Sequence, residues 1–112
     1  MVKKYIPKQG DIVYLDFPPT KGHEQRGFRP AIVVSKDVFN ENTNMVMVCP
    51  ISTNTKEFPT HYCLEDSKKI KGSVFCEHIR SIDFEIRNLQ FVEKASENDL
   101  ISVMMLTSAC ID

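Results

Sequence analysis

The sequence predicts a mainly β protein, a small antiparallel barrel or sandwich, with one α-helix at its C-terminus. Apolar runs of strand length follow one another closely, and no helices alternate with them, which disfavours a parallel sheet. After residue 96 the hydrophobic period changes to that of a helix. A chain of 112 residues with 42% hydrophobic residues can bury one core, so we expect one domain, residues 1–112.

The first half of the chain contains three predicted strands. In "GDIVYLDF" (10–17) apolar residues alternate, as in a half-buried strand. The runs "RPAIVVS" (29–35) and "MVMVCPIS" (45–52) are continuously apolar, and "KDVFNENTN" between them predicts a short helical turn and a loop. We expect Pro30 only at the start of its strand, because it has no N–H to donate.

Three further strands are predicted in the second half. They are "THYCLE" (60–65), "GSVFCEHIRS" (72–81) and "LQFVEK" (89–94), and the second is long enough to bend midway. Gly, Asn, Asp or Pro bounds each of them, as is typical of short strands joined by turns.

The C-terminal segment has the pattern of a helix. Ser96 and Asp99 resemble a capping box with Asp in the place of the usual Glu, and the run "DLISVMMLTSACI" follows. Its apolar residues cover more than one face, so a helix on the surface of a monomer would leave some of them in water. Either the rest of the protein surrounds this helix, or a second subunit covers it.

Composition argues against several classes of protein. No apolar run has the length that a bilayer requires, and the start "MVKKYIPKQGD" has no signal-peptide core, so we expect a cytoplasmic protein without membrane contact. The four cysteines form no CxxC pair, which favours small buried residues over a zinc site or a dithiol redox site. We therefore expect no zinc site and no dithiol redox cofactor at these cysteines.

Charge is unevenly spread along the chain. The net charge of −1 argues against a protein that binds nucleic acid through bulk electrostatics. Residues 1–36, however, hold seven Lys or Arg against three acidic residues, and the remainder holds seven against twelve. A locally basic face suits a polyanion bound at one site, although a solvated surface often shows the same asymmetry.

The segment "PPTKGHEQRGFRP" (18–30) is a charged loop between two apolar strands. Arg29 stands directly before Pro30, so the strand that begins there holds it more firmly than the residues at the tip of the loop. A guanidinium fixed in this way presents planar N–H donors that match two phosphate oxygens. In the alternative, Arg29 forms an ion pair with Asp16 or Glu24 at the end of the barrel.

Hydroxyls and histidines supply further candidates. Ser52, Thr53 and Asn54 close the third strand, where their polar groups would bind a phosphate or sugar or, in the alternative, cap a turn. A histidine pair is an obvious acid and base for ribonuclease chemistry, but His61 falls within a strand and is interpreted as a packing residue. His23 falls on the charged loop, and of the three histidines only His78, in "EHIRSID", lies near polar residues that we expect to face a cleft.

Four segments, in order and at similar spacing, closely resemble the MazF/PemK toxins of bacterial toxin-antitoxin systems. They are "GDIVYLDFPPTKGHEQRGFRPAIVVS", "VCPIST", "FPTH" and "EHIRSID", and the terminal helix fits as well. The resemblance implies an SH3-like small antiparallel barrel (MazF/CcdB/Kid-like) with a C-terminal helix, associated as a homodimer. It also implies a sequence-specific endoribonuclease that cleaves single-stranded mRNA without a metal and arrests growth by blocking translation. The implied partner is a cognate MazE-like antitoxin, whose acidic C-terminal segment lies over the RNA groove.

The resemblance also assigns roles to single residues. Arg29 matches the family arginine that contacts the scissile phosphate, and Glu24 matches an acidic residue in the active loop of many members. Ser52 stands where threonine is usual and keeps a hydroxyl, whereas His78 stands where glutamine is usual. The catalytic candidates are therefore Arg29, Ser52 and Glu24, and the RNA-binding candidates are Phe17, Lys21, Gln25, Thr53, Asn54, Lys56, His78 and Arg80.

The implied chemistry is attack by the RNA's own 2′-hydroxyl, which leaves a 2′,3′-cyclic phosphate and a 5′-hydroxyl. Negative charge builds on the phosphoryl oxygens during the attack, where Arg29 and Ser52 would stabilise it. Glu24 is the preferred base, because free arginine keeps its proton far above neutral pH. Phe28 and Phe58 are further candidates for contact with an unpaired base, and for Phe17 and Phe28 the alternative is to fill the end of the barrel.

Two other functions suit the same fold. The first is a non-enzymatic toxin, resembling the CcdB proteins that bind DNA gyrase through their terminal helix. The loop and "PIST" match the ribonuclease branch instead, and "LTSACID" lacks the aromatic and glycine ending of the gyrase binders. The second is an SH3-like adaptor, in which nothing would require Glu24, Arg29 and Ser52 together.

Overall fold

The computed structural model describes residues 5–17, 27–53 and 57–111. Over these residues the chain forms seven strands, two α-helices and one 3-10 turn. In chain order they are β1 Asp11–Phe17, β2 Gly27–Val33, α1 Asp37–Thr43, β3 Met45–Ser52, β4 His61–Cys63, β5 Ser73–Phe75, the 3-10 turn Cys76–His78, β6 Arg80–Asp83, β7 Gln90–Lys94 and α2 Glu97–Ile111.

The seven strands form one antiparallel sheet with β3 near its centre. Hydrogen bonds order the strands β4-β5-β3-β2-β1-β7. On the side away from β2, β3 pairs with β6 along residues 45–48 and with β5 at residues 51 and 52. The pairing is an open path from β4 to β7. A mainly β protein with an antiparallel sheet and a C-terminal helix is the predicted fold class, which is thereby confirmed.

The central strands are buried on both faces. Ile12, Ile32 and Cys49 lie opposite one another on β1, β2 and β3, and they belong to the core beneath α2, where Val103 packs. Residues of the other parity, such as Val13, form a second core on the opposite face. The prediction of a half-buried β1 therefore holds only for its second half, because α2 covers the first half.

The predicted start of β2 at Pro30 is wrong. β2 begins at Gly27, and Pro30 lies inside the strand opposite Tyr14 of β1. Pairing of β2 with β3 begins only at Ala31. Pro30 therefore has no partner on β3, and its missing N–H removes no hydrogen bond between these two strands.

The segment 72–81, predicted as one bent strand, divides into β5, the 3-10 turn and β6. Ser73 pairs with Ser52, and Arg80 pairs with Val48. Between these two pairs the segment 72–81 contains three more residues than β3 does. The extra residues form the 3-10 turn, which the Cys76 N–H fixes by donating to the Thr60 carbonyl at 3.1 Å.

The cysteines are divided between core and surface, and all four are free. Cys49 and Cys76 are buried, as predicted for small apolar residues. The prediction is wrong for Cys63 and Cys110, which are exposed because one lies on a strand at the end of the sheet and the other in the last turn of α2.

Asp99 ties α2 to the sheet. The Ser96 hydroxyl accepts the Asp99 N–H at 3.0 Å, as in the predicted capping box. The Asp99 carboxylate is fully buried and has a different role from a capping-box glutamate. It accepts hydrogen bonds from the Tyr62 hydroxyl at 2.7 Å and from the N–H groups of Glu65 and Asp66 at 3.2 and 3.0 Å.

The apolar surface of α2 is only partly covered within one chain. Val103 is buried in the core, and Leu100 and Met104 pack against it. Ile101 and Met105, one turn apart, are 51% and 69% exposed. The helix thus keeps a second apolar face, the situation that the sequence predicted. In the described residues no helix is both long enough and apolar enough to span a bilayer.

We expect Asp99→Ala to lower the free energy of unfolding by at least about 2 kcal/mol, because each buried donor left without its acceptor costs about 1–3 kcal/mol. Urea unfolding followed by circular dichroism measures the loss. Glu97→Ala is the control, since it removes an exposed acidic residue from the same first turn and should change stability by less than about 0.5 kcal/mol. Equal losses in the two variants would show that Asp99 has no special anchoring role.

Candidate functional site

Four predicted site residues lie on neighbouring strands of the sheet. Phe17 is the last residue of β1, Ser52 is the last residue of β3, and Arg80 is the first residue of β6. Arg29 is the third residue of β2. Because neighbouring strands run antiparallel, the ends of β1 and β3 lie on the same side of the sheet as the start of β2. Arg80 pairs with Val48 in the middle of β3, and its side chain reaches this end through its contact with Phe17.

Strand register places Arg29 and Ser52 on the same face of the sheet. Ala31 pairs with Pro50, and this is the last pair between β2 and β3 at this end. Arg29 and Ser52 each lie two residues beyond that pair, so their side chains have the same parity and point to the same side of the sheet. Both side chains are half-buried at this rim of the sheet.

The same register bears on the alternative role for Arg29. Arg29 pairs with Leu15 of β1, whereas Asp16 pairs with Phe28. Asp16 and Arg29 therefore point to opposite faces of the sheet, which does not favour an ion pair between them. The other alternative partner, Glu24, lies outside the described residues.

Arg80 and Phe17 contact each other beneath this rim. The Arg80 guanidinium carbon lies 5.6 Å from the centroid of the Phe17 ring, within the range of a cation–π contact. Phe17 is only 5% exposed and belongs to the second core. This burial favours the alternative in which Phe17 fills the end of the sheet and supports Arg80.

A close backbone contact fixes the position of Ser52. Gly72 precedes β5 with φ +142°, and a Cβ atom there would lie 2.3 Å from the Ser52 carbonyl oxygen. Only glycine fits such a contact without displacing backbone atoms. Ser52 also pairs with Ser73, so β5 and Gly72 together hold the end of β3.

His78 lies in the 3-10 turn beside an acidic residue and a second histidine. Its side chain is 60% exposed, and its Nε2 atom lies 3.8 Å from Oε2 of Glu77. The same carboxylate oxygen lies 2.8 Å from Nε2 of His61, and Oε1 accepts the Thr60 hydroxyl at 2.7 Å. Glu77 therefore joins two histidines from different parts of the chain.

The pKa of Glu77 lies below its ordinary value. Burial alone would raise the pKa, but hydrogen bonds from the Thr60 hydroxyl, from the residue's own backbone N–H and from His61 together outweigh it. Glu77 is thus a fixed negative charge at neutral pH, next to the exposed ring of His78.

The sequence patterns did not indicate that Glu77 and His61 lie together beside His78. His61 was interpreted as a packing residue, and its ring is indeed largely covered, but it also bonds to a carboxylate. The pairing of "HYC" with "SVF" would have placed His61 opposite Phe75. Such short strands offer too little pattern to set their register from sequence.

The remaining predicted residues divide into two groups. Thr53 follows Ser52 directly and is exposed at the same end of the sheet. The others lie outside the described residues, and they are Lys21, Glu24, Gln25, Asn54 and Lys56.

Known proteins match both this sequence and this fold. A family model described as PemK-like, MazF-like toxin of type II toxin-antitoxin system matches residues 8–106. The endoribonuclease toxin MazF of Escherichia coli (strain K12) is 37% identical over 87 residues, which are 78% of this chain and 78% of that protein.

Two solved structures from Deinococcus radiodurans share the fold. MazF from this organism superposes with a TM-score of 0.86 at 32% identity, over 95% of this chain and 96% of that one. A MazE-MazF structure from the same organism matches with a TM-score of 0.83 at 32% identity, and the match covers 95% of this chain and 96% of that chain. The matched region includes both sides of the rim at which Arg29 and Ser52 lie.

We expect Gly72→Ala to shift the end of β3, because the new Cβ atom would meet the Ser52 carbonyl. The amide NMR signals of Ser52 and Ser73 should move, and stability should fall by more than in Gly27→Ala. Gly27 is a matched control, since it has φ +100° but no described atom within 4 Å of its added Cβ. Its variant should show only backbone strain, roughly 1 kcal/mol. Unmoved Ser52 and Ser73 signals in Gly72→Ala would contradict the assignment of Gly72 as a support for Ser52.

Proposed function

Because the chain belongs to the PemK-like, MazF-like toxin family of type II toxin-antitoxin systems, we propose that it cleaves single-stranded mRNA at specific sequences without a metal ion. That it is an endoribonuclease toxin follows from the family and from its named relatives. The gyrase-binding alternative is not favoured by these relatives. The observation that carries the proposed mechanism is the pairing of Ala31 with Pro50, because Arg29 and Ser52 each lie two residues beyond that pair and point to the same side of the sheet.

In the proposed reaction the 2′-oxygen of one nucleotide attacks the adjacent phosphorus. The 2′-hydroxyl loses its proton to a base, the bond from phosphorus to the 5′-oxygen breaks, and that oxygen takes up a proton. The products are a 2′,3′-cyclic phosphate and a free 5′-hydroxyl. DNA has no 2′-hydroxyl and should resist cleavage.

Arg29 and Ser52 are proposed to stabilise the charge that develops on the phosphoryl oxygens. The guanidinium presents two parallel N–H donors, and the Ser52 hydroxyl approaches from the facing strand. Both side chains come from paired strands, so they need little reorganisation when the charge appears. Arginine stays protonated in proteins, so Glu24 remains the proposed base.

Polar residues around the rim are proposed to hold the RNA strand. Thr53, His78 and Arg80 are suited to contact phosphates and unpaired bases, as single-stranded RNA is recognised in general. The same proposal includes the other basic and amide residues of the two neighbouring segments, which are Lys21, Gln25, Asn54 and Lys56. Residues 1–36, which include Lys21 and Arg29, hold seven Lys or Arg against three acidic residues, and this local excess of positive charge supports the attraction of a polyanion.

A toxin of this family has an antitoxin as its partner, and the Deinococcus radiodurans structure contains MazE together with MazF. We propose a MazE-like antitoxin whose acidic C-terminal segment covers the RNA groove. We also propose a homodimer, because Ile101 and Met105 leave an apolar face of α2 uncovered in a single chain. Cytoplasmic action follows from the proposed substrate, mRNA.

The test of this function is cleavage of long single-stranded RNA by the purified protein in EDTA. We expect cuts at a recurring sequence, with 5′ ends that accept a phosphate from polynucleotide kinase, and no cuts in DNA of the same sequence. Absence of cuts, or cuts that require magnesium, would contradict the proposed function.

Variants of Arg29 test the mechanism in the same assay. Arg29→Ala should lower kcat by about 10²–10³, the usual loss when one donor to a developing oxyanion is removed. Lys36→Ala is the control, because it removes the same charge from an exposed site beyond the other end of β2. Equal kcat values in the two variants would show that Arg29 does not take part in the reaction.

A further inference from the structure

Two cysteine thiols meet in the core beneath α2. Cys49 lies on β3, and Cys76 begins the 3-10 turn, 27 residues further along the chain. The Cys49 Sγ atom is 4.0 Å from the Cys76 carbonyl oxygen, and the two thiols hydrogen-bond to each other. Both residues are fully buried, and neither is in a disulfide. We call Cys49 and Cys76 the thiol pair.

The register of β3 and β5 explains how the thiol pair comes together. Ile51 pairs with Val74, and both residues belong to the core beneath α2. Cys49 lies two residues before Ile51, and Cys76 lies two residues after Val74, so both thiols have the parity that points to this core. Thiols that already touch need only a small movement to form a bond between their sulfur atoms.

The helix α2 closes the space around the thiol pair. The Thr107 hydroxyl oxygen lies 3.7 Å from Cys49 Sγ, and the Val103 carbonyl oxygen lies 3.9 Å from Cys76 Sγ. Thr107 and Val103 are both buried, whereas the residues of α2 that follow Thr107 are exposed, Cys110 among them. Exposed helix ends open locally at a low free-energy cost, which gives a small molecule a route to the thiol pair.

The two thiols of the pair differ in proton affinity. The hydrogen bond with Cys49 lowers the pKa of Cys76 below its ordinary value, although burial opposes this change. The same hydrogen bond raises the pKa of Cys49, and burial raises it further. Cys76 therefore becomes a thiolate more readily than Cys49 does. The thiolate is the form of cysteine that attacks an oxidant.

We propose that the thiol pair is an oxidation site, at which hydrogen peroxide forms a disulfide between β3 and the 3-10 turn. The Cys76 thiolate attacks one peroxide oxygen, the O–O bond breaks, and the released hydroxide takes up the proton that Cys76 lost. The Cys49 sulfur then attacks the sulfur of the resulting sulfenic acid, and the S–O bond breaks. The hydroxyl leaves with the Cys49 proton as a second water, so two thiols are oxidised and one peroxide is reduced to two waters.

The 3-10 turn transmits this oxidation to the polar end of the sheet. A disulfide bond is shorter than a contact between two thiols, so its closure draws Cys76 toward β3. Glu77 and His78 follow Cys76 directly in the turn. Oxidation therefore shifts both of these residues relative to Ser52 at the end of β3.

The cysteine spacing in the sequence did not indicate this pair, because the two residues are 27 positions apart and meet only through the sheet register. Inside cells, disulfides of this kind are usually transient and respond to oxidants. The thiol pair thus adds a chemical reaction that the proposed RNA cleavage does not use, and it does not rest on that function.

The test uses the full chain with Cys63→Ser and Cys110→Ser, because these changes remove the two exposed thiols and leave the thiol pair. The protein is treated with hydrogen peroxide, unfolded, alkylated with iodoacetamide and digested with trypsin. We expect both thiols to be lost to alkylation, and one cross-linked peptide to contain Cys49 and Cys76. Dithiothreitol should restore both thiols. Cys49→Ala in the same background is the matched control and should give no cross-link.

A second arm separates slow access from a lack of reaction. Urea below the unfolding transition increases local opening of α2, so the disulfide should form faster there. Thiols that stay reduced in this urea as well would overturn the proposal. A sulfinic acid that dithiothreitol does not reverse would also overturn it, as would a disulfide to Cys110 in place of Cys76 in the unaltered chain.

Amide NMR signals test the effect on the 3-10 turn. The signals of Glu77 and His78 should move on oxidation and return on reduction, whereas that of Phe91, on β7 at the other end of the sheet order, should stay unchanged. Unmoved Glu77 and His78 signals in the oxidised protein would show that the turn does not transmit the oxidation. None of these measurements uses RNA, so failure of the oxidation site and failure of the proposed ribonuclease function are distinguishable.

Discussion

The candidate site depends on the register of β3 in the sheet. This strand pairs with β2 on one side and with β5 and β6 on the other, so the positions of Ser52, Arg29 and Arg80 relative to one another depend on it. A slip of one residue would turn Ser52 to the other face and move Ile51 out of the core. The buried residues of β3 therefore fix the geometry of its polar end.

The two faces of the sheet have different tasks at this end. One face carries the core beneath α2, which Asp99 ties to β4 and to the chain after it. The other face ends in polar and aromatic side chains, and these continue from the Arg29 rim across β5 to β4. Core packing and the proposed substrate contacts are thus separated by the alternation of side chains along the same short strands.

Local patterns were enough to predict much of the fold from sequence. β1, β3, β7 and α2 were found nearly at their bounds, because alternation, helical period and flanking turn residues are local signals. The start of β2, the 3-10 turn and the partners of Asp99 depend on contacts between distant residues, so the sequence did not reveal them. For the site, Arg29 and Ser52 were candidates from the charged loop and the strand end, and the family resemblance then gave them and His78 their roles, whereas Glu77 and His61 meet only through the register of two three-residue strands.

The contact between Gly72 and Ser52 has a consequence for genetics. Every missense change of a glycine codon adds at least a Cβ atom, and here that atom has no space beside the Ser52 backbone. Cells that survive forced expression of a growth-arresting protein are enriched in alleles that disable it. Codon 72 should appear among those alleles beside the codons of the reacting groups, although its residue carries no side chain that could take part in the reaction.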